Sequence, residues 1–493
     1  MNKILTLVGL SGVFLLVFAS LLTPITALAE DSAASPDTTW MRIGTIEDGQ
    51  LVVDRRKVIA AALRHNEMLA ASGAMLDAAD ADALGAWQGF LPQVHLGEYF
   101  MRSNDALSAF GFKLQNRGVT PLDFGITPSG FESHLINQPG ETNNFITRVQ
   151  LLQPIFNGGM GIYGKQAANA ASRAAGFKHA RAEETIRYQA IQVFEGLTLA
   201  KAYEAVMEAA VTSAQGHVRQ ARSLVENEMA TEADLLQAQV YLSTLKQKLI
   251  EVRNMMAVAG ENLKLLTAVN TSLTLTPHTL NKNEARTLGL PSPFDLDAIA
   301  QRSDLQARRE EAVAAGKMVG VATGSLLPHV NLSLQKDWYD LDNLLGTNSN
   351  SWTLGVYATM GFGVHNIGEI KKAKAHRRAA DHMVAFETRQ AQVQATEALL
   401  NARAAREKVI VAREAVAASR AGLKIVTNQY REGLVSMVDL LDTQAYATQA
   451  EGNLVQAKHD LSVGLANLEF SGAVKSIDSI NQSQSNTTAP QGQ

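Results

Sequence analysis

Between Pro328 and Phe362 the chain alternates apolar and polar residues in two successive runs. In the first, Val330, Leu332 and Leu334 alternate with Asn331, Ser333 and Gln335. In the second, Trp352, Leu354, Val356, Ala358, Met360 and Phe362 alternate with Thr353, Gly355, Tyr357, Thr359 and Gly361. A period of two predicts a pair of antiparallel strands, each with one apolar and one polar face. The second apolar face runs for about ten residues, the length of a tilted membrane-crossing strand. Trp338, Tyr339, Trp352 and Tyr357 are expected at its ends, where aromatic girdles sit. A soluble sandwich carries the same alternation, so the flanking chain has to decide between the two.

The N-terminus reads as a secretory signal over residues 1–29. Lys3 precedes an apolar run from Ile4 to Leu22, and Ala27-Leu28-Ala29 offers a small-residue cleavage site before Glu30. A retained membrane helix is the other reading, but no basic stop-transfer flank follows. Beyond the signal no apolar run reaches the ~20 residues that a spanning helix needs. The expectation is an exported chain that crosses a membrane, if it crosses one, by strands. There is no cysteine among the 493 residues, which excludes disulfide staples, thiol catalysis and a lipid anchor on an N-terminal cysteine. A formal charge of −4 supplies no basic stripe for nucleic acid.

Taken in order, Asp31 to Gly49 is polar and small, a poorly ordered leader. Leu51 to Gly89 is Ala-rich, free of proline and apolar at helical spacing, which predicts one long helix. Gln93 to Met101 is extended. Ser103 to Thr142 is a loop of about 40 residues, a length that signals function or exposure. Strand character returns at Asn144, with Phe145, Thr147, Val149 and Leu151 on one face, and ends at Gln153-Pro154-Ile155-Phe156-Asn157-Gly158-Gly159. A helix then runs from about Met160 to Glu226, ~100 Å at 1.5 Å per residue. It carries two apolar seams, one through Ile186, Ala190, Leu197, Met207 and Ala214, the other through Leu199, Tyr203 and Val206. Two seams imply neighbours on two sides, which suits a ring of helices; a long coiled coil is the plainer alternative.

After a turn near Asn227 to Thr231, a second helix keeps a heptad through Leu235, Leu242, Leu249 and Leu263. A break follows from Asn270 to Pro293. The plan then restarts. Asp295 to Gly324 is helical, and Leu326-Leu327-Pro328 echoes Phe90-Leu91-Pro92. The two alternating strands lead into a helix from about Ile367 to Arg431. A turn at Glu432-Gly433 leads into a heptad helix in which Asp439-Leu440-Leu441 matches Asp234-Leu235-Leu236. This register is a repeat signal. The expected organisation is a first repeat over 30–270, an equatorial connector over 271–293, a second repeat over 294–470 and a disordered tail over 471–493.

Four strands do not close a barrel, and an open sheet edge in lipid leaves backbone groups unsatisfied at several kcal/mol each. Copies of the chain would have to pool strands, three of them supplying twelve. The signal segment, the doubled plan, Gln153-Pro154-Ile155-Phe156-Asn157-Gly158-Gly159 opening a long helix, and Tyr430-x-x-Gly433 followed by Asp439-Leu440-Leu441-Asp442 resemble the TolC-type outer-membrane factor family. The resemblance covers nearly all of the chain after the signal. It implies a mixed, mainly α fold: a homotrimer with a 12-stranded outer-membrane β-barrel, four strands per protomer, continued by a long periplasmic α-helical barrel. It also implies a passive exit duct for efflux or type I secretion, working with a periplasmic adaptor (a membrane fusion protein) and an inner-membrane pump of RND, ABC or MFS type.

On this resemblance Asp439 and Asp442 correspond to paired aspartates of the periplasmic aperture. Their spacing of three puts both carboxylates on one helix face, and threefold repetition would make a ring of six that favours cations. As a plainer role, Asp439 caps a helix. Tyr430 corresponds to a latch tyrosine between helices, with Asp234 as its acceptor. The arginine expected in that latch is replaced by Val435, and Glu228 stands where the first tip usually has glycine. His376 and His382 lack metal-ligand spacing. Gly158-Gly159 is not followed by the Lys-Ser/Thr of a phosphate loop. No nucleophile, base and orienting group assemble, so neither enzyme activity, cofactor nor metal is expected. The cargo and the particular pump are not written in the sequence.

A soluble periplasmic coiled-coil adaptor or scaffold is the competing reading. If the strands lie in a membrane, the protein stays in the pellet after carbonate or high-salt washing and is released only by detergent; release by carbonate would favour the adaptor.

Overall fold

The computed structural model describes residues 36–278 and 296–474. The signal segment, much of the connector and the end of the tail lie outside these residues. The described chain is mainly helical and divides into two compact units: residues up to Arg64 together with Val193–Leu280, and His65–Gln192 together with the chain from Asn281 onward.

In the first unit a 3-10 turn, Pro36–Arg42, leads into strand β1 (Gly44–Glu47). This is a correction to the disordered leader. Strand β2 (Gln50–Val53) pairs antiparallel with β1 and parallel with a third short strand, Leu275–Pro277. The expected helix from Leu51 to Gly89 is therefore shorter at its start. Leu51 and Val53 alternate into a core with Ile43 and Val58, all four fully buried, so tertiary burial overrides the helical reading. Helix α1 (Arg55–His65) follows and ends at a second break. Asn66 accepts the amide N–H of Met68 and of Leu69 through its side chain, an N-cap that restarts the chain as α2 (Glu67–Gly85).

The second unit is built on a four-stranded antiparallel sheet. Strand β3 (Gln93–Ser103) opens it. The segment after β3 is not structureless: α3 (Ala106–Gln115) forms there, with Asp105 as its N-cap, followed by a 3-10 turn, the two-residue strands β4 (Ile126–Thr127) and β5 (Gly130–Phe131), and α4 (Ser133–Asn137). The 16-residue β6 (Thr142–Asn157) then runs straight into the 67-residue α5 (Met160–Glu226). Helix α6 (Glu232–Thr267) leads into the short third strand of the first unit, β7 (Leu275–Pro277). The segment expected as one helix over Asp295 to Gly324 is split at Gln301-Arg302 into α7 (Leu296–Ala300) and α8 (Ser303–Gly324). Strands β8 (His329–Asp340) and β9 (Ser349–Thr359) complete the sheet in the order β3-β6-β8-β9. The 68-residue α9 (Val364–Arg431) and α10 (Met437–Phe470) close the described chain.

Strand parity sorts the sheet into two faces. Gly97, Arg148, Asp337 and Ser351 stand opposite one another across the four strands, as do His95, Gln150, Gln335 and Thr353. On this polar face Arg148 donates two hydrogen bonds to the Asp337 carboxylate, at 2.9 and 3.2 Å. Gln335 and Tyr339 donate to the same carboxylate, and Gln150 donates to Ser333. The other face carries Leu96, Val149, Leu151, Leu332, Leu334, Leu354 and Val356. Its polarity is inverted relative to a soluble sheet on β8, where Leu334 is 45% exposed and Ser333 and Asp337 are 3% and 4% exposed, while the edge strand β9 exposes both of its faces, Trp352, Leu354 and Val356 included. Trp338 and Trp352 sit on the apolar face as expected. Tyr339 and Tyr357 lie with Ser333 and Asp337 on the polar face, where the alternation had already placed Tyr357.

Pro154 brings no N–H to the β6–β8 ladder, and the register shifts there. The strand-to-helix corner beyond it depends on Gly158 at φ +64° and Gly159 at φ +81°. A Cβ on Gly158 would lie 2.1 Å from the carbonyl oxygen of Gly324. Asn157 staples the same corner, donating to the Gly89 carbonyl and accepting from the Gly161 amide. Below the corner, α9 packs through Ala391, Ala395, Ala398 and Ala402 against Leu305 and Leu468, small side chains that bring the helices close. Ala473 and Val474 join this core, so the first four residues of the expected tail are packed. Among the described residues no helix is long and apolar enough to cross a membrane.

Gly158→Ala combines a left-handed backbone with a backbone clash and is expected to cost more than about 2 kcal/mol. Gly164→Ala, where an added Cβ meets nothing within 4 Å, serves as the control. The melting temperatures of the two purified variants in detergent separate the cases; equal values would mean that the corner is not closed as described.

Candidate functional site

The residues singled out from the sequence gather at two helix-to-helix turns. One joins α9 to α10. Helix α9 ends in a Schellman-type closure, with the Gly433 N–H bonded to the Tyr430 carbonyl (3.1 Å) and the Leu434 N–H to the Gln429 carbonyl (2.9 Å). Gly433 takes φ +71°, the left-handed conformation that this closure requires. Three residues on, Ser436 caps α10. Its hydroxyl accepts the Asp439 N–H, and the Asp439 carboxylate accepts from the Ser436 N–H (3.0 Å) and hydroxyl (2.6 Å). This reciprocal capping box makes the sequence Ser-x-x-Asp a local start signal.

The turn between α5 and α6 repeats the construction. Glu228 N–H bonds to the Val225 carbonyl and Met229 N–H to the Leu224 carbonyl. Thr231 then caps α6 while the Asp234 carboxylate accepts from the Thr231 N–H (3.1 Å) and hydroxyl (2.8 Å). Glu228 occupies the position of Gly433 and adopts the same left-handed backbone, at φ +60°. The loss of glycine therefore leaves the turn conformation unchanged and places a strained residue in it.

Asp439 and Asp442 are both exposed, one helical turn apart. Met437, Leu440, Leu441 and Gln444 are buried on the opposite side of α10, which leaves the two carboxylates facing solvent. Hydrogen bonds from the Ser436 side chain, then from its backbone, hold the Asp439 carboxyl below the usual carboxylate range. That cap supports the turn above the unfolded value of about 3.9 and is lost as pH falls through the lower folded value. Tyr430 is buried in the last turn of α9. Asp234 is half-buried, with its carboxylate engaged by Thr231. Val435 is half-buried in the α9–α10 turn. Among the described residues no cluster of three or more His, Asp or Glu side chains is placed to hold a metal ion.

Sequence reasoning did not find the Arg148–Asp337 pair; period-two parity places both residues on the polar face but does not give their partners. It also missed the node around Arg302. Buried Arg302 donates to Asp304, to Gln394 and to the Ser471 carbonyl, tying α8, α9 and the end of α10 together. Burial raises the Asp304 carboxyl, and hydrogen bonding from Arg302 together with the charges of Arg181 and Arg302 more than reverses this, leaving it below its ordinary value.

Residues 296–471 match the family model described as outer membrane efflux protein. The outer membrane efflux protein BepC of Brucella suis biovar 1 (strain 1330) is 26% identical over 289 residues, 57% of this chain. The match spans 61% of the length of that curated relative. Among solved structures, the outer-membrane channel OprN is similar with a TM-score of 0.71 at 19% identity, over 85% of this chain and 89% of its own. The Campylobacter jejuni CmeC outer membrane channel gives 0.71 at 18%, over 88% and 90%.

Gly433→Ala is expected to destabilise the second turn by roughly 1 kcal/mol, whereas Glu228→Gly should relieve strain and stabilise the first by up to about 1 kcal/mol. Opposite shifts in melting temperature would bear this out. A neutral Gly433→Ala would mean that the left-handed closure is not formed.

Proposed function

We propose that this chain, a member of the TolC-type outer-membrane factor family, is the outer-membrane exit duct of an efflux system, assembled as a homotrimer. It is a passive conduit and not an enzyme. Three four-stranded sheets pool twelve strands into a closed barrel in the outer membrane, and the helices continue as an α-helical barrel in the periplasm. The observation that carries this reading is the inverted sheet. Apolar side chains of β8 and β9 are exposed, Arg148 bonds to Asp337 and Gln150 to Ser333 on the polar face, and the outer strands β3 and β9 each have one unpaired edge. Joining β9 of one copy to β3 of the next removes both edges, each unsatisfied group of which would cost several kcal/mol in lipid.

The helices support the same assembly. Leu236, Val240, Ile250, Val258 and Leu265 form an exposed stripe on α6, and Val393, Leu400 and Val411 are exposed on α9; a ring supplies neighbours for both. The matching turns and the doubled order of helix, strands and helix hairpin support an internal duplication. By their names the curated relative and the structural neighbours are outer membrane efflux proteins or channels, and carrying that activity to this chain is part of the proposal. The partners are a periplasmic adaptor and an inner-membrane pump of RND, ABC or MFS type, with type I secretion as a second use of the same duct. A soluble adaptor fits less well, because a sandwich in water would bury Leu354 and Val356.

Asp439 and Asp442 would form the aperture ring at the periplasmic tip, six carboxylates in the trimer. Tyr430 and Asp234 would form the latch that opening has to release. Because the Asp234 carboxylate already caps α6 and Val435 supplies no cation, this latch would be a single neutral donor on a shared acceptor, weaker than one containing arginine.

In planar bilayers the double variant Asp439→Ala, Asp442→Ala should weaken block of conductance by divalent cations added on the periplasmic side. Asp439→Asn with Asp442→Asn separates charge from capping. Unchanged block in both would remove the ring assignment.

A further inference from the structure

Helix α3 sits in the segment joining β3 to β6, at the opposite end of the sheet from the corners where α5 and α9 depart. Its last turn is fastened to the polar face. Asn116 donates to the Asn144 side-chain oxygen (3.0 Å), Asn144 donates to the Gln115 side chain (2.9 Å), and the Ser349 hydroxyl donates to the Gln115 carbonyl. Asn144 and Ser349 share strand parity with Arg148 and Asp337. Ala109 and Asn144 are fully buried, and Asn116 and Ser349 nearly so. The segment therefore folds over the face that would line the duct, not over the lipid face.

Helical spacing fixes where the other side of α3 points. Ala109, Phe112 and Asn116 share one face, and Leu107, Gly111 and Leu114 share the opposite one. Leu107 and Leu114 are 81% and 59% exposed. With the first face against the duct wall, these leucines aim at the axis. Twelve strands spaced ~4.8 Å and tilted ~40° enclose a width of roughly 24 Å. That width is measured between strand backbones, so three helices each about 10–12 Å thick folded over the mouth of such a circle are forced against one another near its axis.

We propose that the Leu107/Leu114 face of α3 is an interaction surface for the same face of the other two copies, and that the three together form an apolar constriction at the outer mouth. This rests on the trimeric duct reading. The constriction is separate from the periplasmic carboxylate ring and of opposite character: it narrows the path by excluding water from an apolar ring, not by charge. The occupant is a second copy of the chain because β9-to-β3 pairing around the barrel brings the three α3 helices onto one axis.

The chain has no cysteine, so Leu107→Cys and Leu114→Cys each introduce a unique thiol. The full-length variants, purified in detergent, are treated with a short bis-maleimide, with Trp352→Cys on the lipid face as the comparison. The expected result is conversion of most of the Leu107→Cys or Leu114→Cys protein to a covalent dimer band and none of the Trp352→Cys protein. Particles that are trimeric by native mass spectrometry yet show no cross-link at either leucine would overturn the constriction and leave the duct standing. Monomeric particles would overturn both.

Discussion

The structure depends on one inverted relation: a sheet whose hydrogen-bonding side chains are turned inward and whose apolar side chains are turned out. In water, apolar burial drives folding at about 25 cal/mol per Å², and a sheet exposing Leu354, Val356 and Trp352 together would forgo that gain. The arrangement is stable when hydrocarbon lies against the apolar face and an aqueous interior lies against Arg148, Asp337 and Gln150. The backbone then adds its own demand. Edge groups of β3 and β9 have no water to bond within a bilayer, so the proposed sharing of strands among copies follows from the same inversion.

The helical part obeys a different economy. Helices of 67 and 68 residues need length and lateral packing more than a deep core. Alanines at Ala391, Ala395, Ala398 and Ala402 let α9 approach its neighbours closely. Reversal of direction is confined to short turns, each closed by a left-handed residue and restarted by a capping box. These turns are locally determined: the two share their hydrogen-bond pattern although one has Gly433 and the other Glu228. Each turn is closed by its own hydrogen bonds, so opening of the proposed aperture would come from hairpins moving as units.

Much of this was legible beforehand because it is periodic. Alternation along β8 and β9 gave the strands, helical spacing gave α5 with both of its ends, and the recurrence of Asp-Leu-Leu gave the matching hairpins. The failures lie where burial competes with local preference. Leu51 and Val53 read as helix from an Ala-rich context, yet they are strand residues because a core with Ile43 and Val58 receives them. Asn66 breaks its helix locally, as an N-cap, whereas the break at Arg302 coincides with contacts to Gln394 and Ser471 far along the chain. Tyr339 and Tyr357 read as girdle residues by type, yet the same alternation that gives the strands puts them on the polar face.

The sequence by itself determined the four long strands and the two helical hairpins of α5–α6 and α9–α10, because period and caps act within a few residues of the chain. It determined also that Asp439 and Asp442 share a face, since a spacing of three does so in any helix. Only the tertiary structure decided which face of the sheet is covered and that Arg148 meets Asp337. It alone also decided that the segment after β3 folds a helix back onto the polar side through Asn116 and Asn144. Those contacts join residues far apart in the chain, and no local pattern encodes a partner that three-dimensional packing selects.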